Sequence, residues 1–332
     1  MDWMNDLIQW YKADHRDLPW RRTRDPYAIW LSEIMLQQTR VAAVVPYYER
    51  FLHELPTVRD LAAVDDDRLM KLWQGLGYYS RARNLKRAAV EIVERFGGTL
   101  PDTYAALLTL PGVGAYTAGA IASIAFGERV PAVDGNVLRV TARLCDDPRN
   151  ILDPHTKDDV FAALQADFPD EPGTFNQAMM ELGAMVCTPK SPQCELCPIH
   201  TSCLALQNGT VQTRPVREKK QTRAVEQMTV FVLRTNGGFL IRKRPDTGLL
   251  AGLYELPHVT GCLEPDAAAN ALTALGVRPT GAITRYDRKH VFTHKEWHMR
   301  VYAAEIAPAV PEGWLVYDGS QSLPTAFAVC LD

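Results

Sequence analysis

The sequence predicts a mainly α N-terminal part followed by a smaller α+β domain. Three observations predict it. Up to about residue 205 apolar residues recur at helical spacing, and strand-like alternation is nearly absent. From Gln207 the chain turns polar and basic, QNGTVQTRPVREKKQTR, and is poor in large apolar side chains, as a linker is. Beyond it, Thr229–Leu233 and Phe239–Arg244 are β-like runs joined by the hairpin signal Asn236-Gly237-Gly238. The expected boundaries are a helical domain over residues 1–206, a linker over 207–224 and an α+β domain over 225–332.

Within the first part, Asp25-Pro26 is a cap-plus-proline start, and Ile29, Trp30, Ile34 and Leu36 follow it at helical spacing. Asp102–Leu110, Ala115–Phe126 and Val137–Leu144 are further expected helices. In the second part Asp266–Leu275 reads as a helix, and strand patterning returns over Ala282–Ile306.

The 332 residues exceed one average domain, so two are expected. No apolar run approaches a bilayer-spanning length. The opening Met1-Asp2-Trp3-Met4-Asn5-Asp6 lacks the basic-then-apolar layout of a signal peptide, so a cytoplasmic protein is expected. Net charge is −3, with −5 on residues 1–214 and +2 on 215–332, so any nucleic-acid binding has to rely on local basic patches and backbone donors.

Of the seven cysteines, Cys187, Cys194, Cys197 and Cys203 fall within seventeen residues. That crowding reads as metal ligation by soft thiolates, not as a disulfide framework. Spacing alone leaves zinc and an iron–sulfur cluster both open. Cys145, Cys262 and Cys330 are expected to be small core residues.

Leu110-Pro111-Gly112-Val113-Gly114, followed by Ala115-Tyr116-Thr117-Ala118, places two glycines between two helices. Such a hairpin lets backbone N–H groups approach an anion, and the following helix adds its positive dipole end. A phosphate held this way needs no lysine. An ordinary helix–helix turn would carry the same glycines.

Two carboxylates sit in unlike settings. Glu33 lies on the apolar side of the helix opened by Pro26, where lost solvation should raise its pKa. Asp134 follows the extended run Val130-Pro131-Ala132-Val133 at a helix start, where its ionised form should be favoured. Such a pair suits acid-assisted cleavage of a glycosidic bond. Each residue alone admits a plainer reading, Asp134 as a cap and Glu33 as half exposed. The stretch Gly75–Arg87 interleaves tyrosines with four basic residues, which suits stacking on bases and phosphate contact, or two packed tyrosines on a solvated helix.

Taken together, these residues resemble the adenine DNA glycosylase (MutY) family of the helix–hairpin–helix base-excision-repair superfamily. The resemblance is carried by Arg16-Asp17-Leu18-Pro19-Trp20-Arg21, Ser32-Glu33-Ile34-Met35-Leu36-Gln37-Gln38-Thr39, the Gly112/Gly114 hairpin, Val133-Asp134-Gly135-Asn136-Val137 and the four cysteines. It implies a helix–hairpin–helix at about 105–126, a 4Fe–4S cluster held over 187–203, and a C-terminal Nudix-like domain. The implied activity is removal of adenine paired with 8-oxoguanine or G in double-stranded DNA, by a monomer free of membranes and associated with the nucleoid in a bacterium.

By that resemblance Glu33 protonates adenine at N7 and Asp134 supports or traps the sugar cation. Tyr116 and Asn136 match supporting catalytic positions, Gln177 an adenine-contacting one, and Gln38 and Tyr78 the wedges at the mispair. Arg16, Leu18 and Trp20 join the expected substrate and DNA contacts, with Gly112 and Gly114 on the backbone. Phe292-Thr293-His294 matches the family's Phe-Ser-His turn that reads 8-oxoguanine, with threonine adding a methyl group. Gly248–Pro257 matches a strand region of the Nudix-like domain, whose metal-binding glutamates are missing from Asp266–Leu275, so pyrophosphate hydrolysis is not expected.

The endonuclease III branch carries a lysine at the position of Tyr116. A tyrosine forms no Schiff base, so strand cleavage is expected to be weak or absent. A lesion sensor that binds without cutting is the non-enzymatic alternative, and Glu33 with Asp134 speak against it.

Overall fold

A computed structural model of the chain describes residues 3–218, 223–235 and 237–331. Asn236 of the expected hairpin and residues 219–222 of the expected linker lie outside the described residues. The chain divides into two compact units, Met1–Val64 with Arg83–Lys219 and Asp65–Ala82 with Lys220–Asp332.

The helices run α1 Trp3–Asp14, α2 Pro26–Leu36, α3 Val41–Glu54, α4 Val58–Ala63, α5 Asp66–Trp73 and α6 Ser80–Phe96. After them come α7 Tyr104–Leu107, α8 Ala115–Phe126, α9 Gly135–Leu144, α10 Pro154–Ala166, α11 Pro172–Met185 and α12 Leu204–Gln207. All but α5 and the head of α6 belong to the first unit.

The starts of α2 and α8 fall as expected, while α9 begins at Gly135, two residues before the expected Val137. Asp25 caps α2 by accepting from Tyr27 N at 3.1 Å, with Pro26 at the first helical position. α2 is buried from Tyr27 to Met35, so Glu33 lies inside an all-round apolar helix and not on one apolar side. α7 is shorter than the expected 102–110. Thr103 caps it from Ala106 N, and bonds from Thr109 N to Ala106 O and from Leu110 N to Leu107 O tighten the chain into the hairpin.

α11 packs against α1, α8 and α9 around a core that includes Leu7, Val137, Phe175 and Leu182. Gly119 lets α8 press onto the extended run before α9, where an added Cβ would stand 2.3 Å from Pro131 O. Buried Asn176 of α11 satisfies that run, accepting from Ala132 N at 3.0 Å and donating to Val130 O at 2.9 Å. Past α12 the polar stretch stays with this unit, where Ile151 N donates to Val216 O at 3.1 Å.

The second unit carries β1 Ala224–Thr235, β2 Gly238–Lys243, β3 Tyr254–Glu255, β4 His258–Thr260, α13 Pro265–Ala274, β5 Thr284–Val291, β6 Lys295–Glu305, β7 Leu315–Val316 and α14 Thr325–Ala328. Among the described residues the sheet order is β3-β2-β1-β6-β5, with β4 on β1 and β7 on β2. β1 and β6 run parallel, and the other pairs are antiparallel.

Alternation along β1 buries both faces. Met228, Val230 and Val232 join Trp297, Met299 and Phe327, while Phe231 and Leu233 join Ala268 and Leu272 of α13. The expected strand region Gly248–Pro257 is a strand only at Tyr254–Glu255. Residues 246–253 make turns, with positive φ at Gly248, Leu250 and Gly252. Cys330 is a core residue as expected, whereas Cys145 is exposed and Cys262 half-buried.

Candidate active site

Elements of the first unit that are distant in sequence enclose a cavity of about 390 Å³. α2 contributes Glu33, α8 Tyr116, the head of α9 Asp134 and Asn136, and α11 Gln177, Met180 and Glu181. The loop before α2 adds Arg16, Leu18, Trp20 and Arg21, and the turn after α2 adds Gln38 with φ +59°.

Tyr116 Oη donates to Glu33 Oε2 at 2.6 Å and stands 3.0 Å from Met180 Sδ. Burial raises Glu33 from the usual carboxylate range to about 7. The Asp134 charge adds to that, while the Tyr116 bond and Arg21 oppose it. Burial, then the charges of Glu33 and Asp134, push Tyr116 well above its ordinary range, so it stays a donor.

Asp134 caps α9 as expected. Its Oδ1 accepts from Asn136 N and Val137 N, both at 2.8 Å, and its Oδ2 from Asn136 Nδ2 at 2.9 Å. The expectation that its ionised form is simply favoured needs correction, because burial outweighs those three bonds and raises its pKa as well. A sequence pattern shows the cap but not the depth at which α9 begins. Asn136 in turn accepts from Arg139 Nη2 at 2.9 Å.

Gln177 Oε1 accepts from Tyr11 Oη at 3.1 Å, and its Nε2 donates to Gly173 O at 3.2 Å. Since a carbonyl only accepts, the amide orientation is set. Leu18 and Trp20 are buried, and Trp20 meets Tyr48 edge-on at 5.4 Å.

The hairpin lies elsewhere on the first unit. Gly112 has φ +76°, and Gly114 opens α8 without a side-chain cap on its first-turn amides.

In the second unit Tyr78, 46% exposed and at φ +48°, shares a hydrogen bond with Thr293 Oγ1 in the turn between β5 and β6. Phe292 of that turn packs on Trp297 at 4.8 Å, and His294 O accepts from Ala224 N at 3.3 Å. The basic motif at 75–87 divides. Arg81 is buried against the Trp73 and Tyr78 rings and donates to Leu76 O and Gly77 O, which removes it from the expected phosphate contacts. Burial lowers its pKa to about 10. Tyr79 is buried too.

The four thiols of Cys187, Cys194, Cys197 and Cys203 line one small apolar space. Among the described residues no three Cys, His, Asp or Glu side chains are spaced to grip a single ion. Buried Arg143 holds the loop that carries them, donating to Thr188 O at 2.8 Å, Pro189 O at 3.1 Å and Cys187 Sγ at 3.3 Å. Burial raises Cys194 and Cys203 and pushes Cys197 up to about 12, a cost that bound iron offsets. Four sulfur donors in an apolar setting fit an iron–sulfur cluster.

The sequence reading missed Asn176, Arg143 and Glu181. Each is a polar residue in the interior whose partners lie far away in sequence, and no local pattern marks it.

Fold and cavity define a helix–hairpin–helix DNA glycosylase. The model of the HhH-GPD superfamily base excision DNA repair protein matches residues 31–168, a NUDIX domain model matches 229–329, and the iron–sulfur binding domain of endonuclease III matches 187–203. The adenine DNA glycosylase of Mus musculus is 37% identical over 95% of this chain and 74% of its own length. That of Buchnera aphidicola subsp. Baizongia pistaciae is 31% identical over 89% and 83%. The chain belongs to the adenine DNA glycosylase family, and its cofactor is a 4Fe–4S cluster.

Similar solved structures include a thermostable thymine-DNA glycosylase, at 29% identity and TM-score 0.57 over 62% of this chain and 95% of that one. A non-covalent endonuclease III–DNA complex aligns at 26% identity and TM-score 0.53 over 62% and 94%. Among the described residues no helix is long and apolar enough to cross a membrane.

Proposed function

We propose that the chain is a monofunctional glycosylase that hydrolyses the N-glycosidic bond of adenine paired with 8-oxoguanine or G in double-stranded DNA. The observation that carries this reading is the buried Glu33, held near pKa 7 beside Tyr116, across one cavity from Asp134.

The base must leave the duplex stack to reach the cavity. Tyr116 occupies Oε2 of Glu33, which leaves Oε1 to carry the acid proton. That proton passes to adenine N7, the C1′–N9 bond breaks, and its electron pair leaves with neutral adenine. The cation at C1′ faces Asp134, whose charge is supported by three donors, as a fixed anion or as a covalent trap. Water then adds at C1′ and returns a proton to Glu33. Gln177, Arg16, Leu18 and Trp20 frame the base. Tyr116 offers no amine for a Schiff base, so strand cleavage is weak or absent.

In this reading the hairpin at Gly112 and Gly114 holds phosphate, Gln38 and Tyr78 wedge the duplex, and Phe292, Thr293 and His294 read the lesion. Residues 1–206, apart from 65–82 that belong to the second unit, form the catalytic domain and 225–332 the recognition domain. Cys187, Cys194, Cys197 and Cys203 bind the cluster, and the protein works as a monomer, on nucleoid DNA if its source is a bacterium.

The test is an excision assay on duplexes with A opposite 8-oxoguanine, G, T or C, with and without hot alkali. Breaks only after alkali, and only at A opposite 8-oxoguanine or G, are expected. Cleavage at oxidised pyrimidines, or none anywhere with the cluster intact, would overturn the reading.

A further inference from the structure

Glu181 of α11 is the most heavily engaged carboxylate on the wall of the base cavity. Its side chain is 1% exposed. Oε1 accepts from Arg16 N at 3.0 Å and Arg16 Nε at 2.8 Å, and Oε2 from Arg16 Nη2 at 2.5 Å and Arg21 Nη2 at 2.7 Å. Arg21 Nη1 also donates to Arg16 O at 3.0 Å, which closes the segment 16–21 into a loop tied at both ends. Leu18 and Trp20, between the tied ends, face the same cavity. Arg21 lies over the ring of Tyr11 at 5.3 Å, and Tyr11 holds Gln177, so one carboxylate is linked to Arg16, Arg21 and Gln177 of the cavity lining.

Charge points the same way. Two guanidinium groups border a cavity whose acid must keep its proton, and Arg21 favours the ionised form of Glu33. Glu181 is the counter-charge. Burial works to raise its pKa, but the bonds from Arg16 and Arg21 outweigh burial and hold it at about 2, so it is an anion at every working pH. The other groups facing Glu33 are Tyr116 from α8 and Asp134 from the head of α9. α3 reaches the cavity only through Val41.

We infer that Glu181 is a positioning residue of the glycosylase reaction, clamping the Arg16–Arg21 loop as one wall of the base cavity and balancing the charge of Arg21 beside it. The inference rests on the proposed role of Glu33.

The test measures single-turnover adenine excision from pH 5.5 to 9 by the cluster-loaded protein, with thermal melting as a check on the fold. Glu181→Gln keeps the shape and drops the charge, and its alkaline limb is expected to move down by about one pH unit. Glu181→Asp restores the charge and returns the limb. The double variant Arg21→Gln/Glu181→Gln removes one charge of each sign, so its limb also returns towards wild type; should the single variant fold poorly, the double is read against Arg21→Gln, below whose limb its own is expected to lie by about one pH unit. An unchanged limb in folded Glu181→Gln, or a displaced limb in the double variant, overturns the inference. A wild-type protein that excises no adenine overturns the role of Glu33 itself, and the inference with it.

Discussion

Tyr116 Oη donates to Glu33 Oε2 at 2.6 Å, joining α8 to α2 through the acid of the cavity. The bond lowers the pKa of Glu33 against the larger effect of burial. Tyr116→Phe should therefore let that pKa rise further. The alkaline limb of single-turnover excision moves to higher pH, and the rate at pH 6 falls several-fold because the carboxyl is no longer oriented. A limb that moves down instead would show that Tyr116 does not act through Glu33.

Glu33 opposes stability as it serves chemistry. Its folded pKa of about 7 lies above the ordinary 4.5, so the folded state binds its proton more tightly. The folded protein therefore has its full stability from this group below the unfolded value and loses it as pH rises through about 7. At the alkaline end the loss is at most about 3 kcal/mol. Glu33→Gln, which cannot ionise, should melt higher than wild type at pH 8, with the gap closing towards pH 5. Its excision rate should fall by about 10²- to 10⁴-fold. A variant with wild-type activity would remove Glu33 from the mechanism.

Gly112 holds φ +76°, and a Cβ there would stand 2.7 Å from Asn84 Cβ. Gly112→Ala should cost about 1–2 kcal/mol at the hairpin. Affinity for any duplex should weaken, while excision at saturating DNA is largely kept. Unchanged affinity across a salt series would mean that the hairpin does not hold phosphate.

Thr293 pairs with Tyr78 within the second unit. Thr293→Ala should narrow the rate difference between 8-oxoguanine·A and G·A substrates by slowing the former and sparing the latter. Equal slowing of both would assign the threonine to general DNA contact.

Arg143 donates to carbonyls within the cysteine loop and after it, including Thr188, Pro189, Val211 and Arg214. Arg143→Ala strands those acceptors in the interior. Iron content and the visible absorbance of the cluster should fall well below wild type, and a fully loaded variant would show that the loop needs no such clasp.

The change from helical to strand texture, the hairpin glycines, the caps at Asp25 and Asp134 and the cysteine cluster were legible in the sequence. Each is a local device, set by spacing along the chain or by the φ and hydrogen-bonding habits of single residues. The α7 bounds and the 248–257 region were misjudged because turn bonds outcompeted helix and strand propensity there. The fate of Arg81 was hidden for another reason, since only packing decides whether a basic residue meets solvent or an aromatic ring.

By itself the sequence determined which elements form, that four thiols would share one loop, and that an acid would sit on the apolar side of a helix. Only the tertiary structure decided that Glu33 and Asp134 share one cavity, that burial raises Asp134 as well as Glu33, and that Glu181 ties the Arg16–Arg21 segment lining it. Desolvation and charge balance depend on what surrounds a group in three dimensions. Residues 33, 134 and 181 become neighbours only when α2, α9 and α11 pack together.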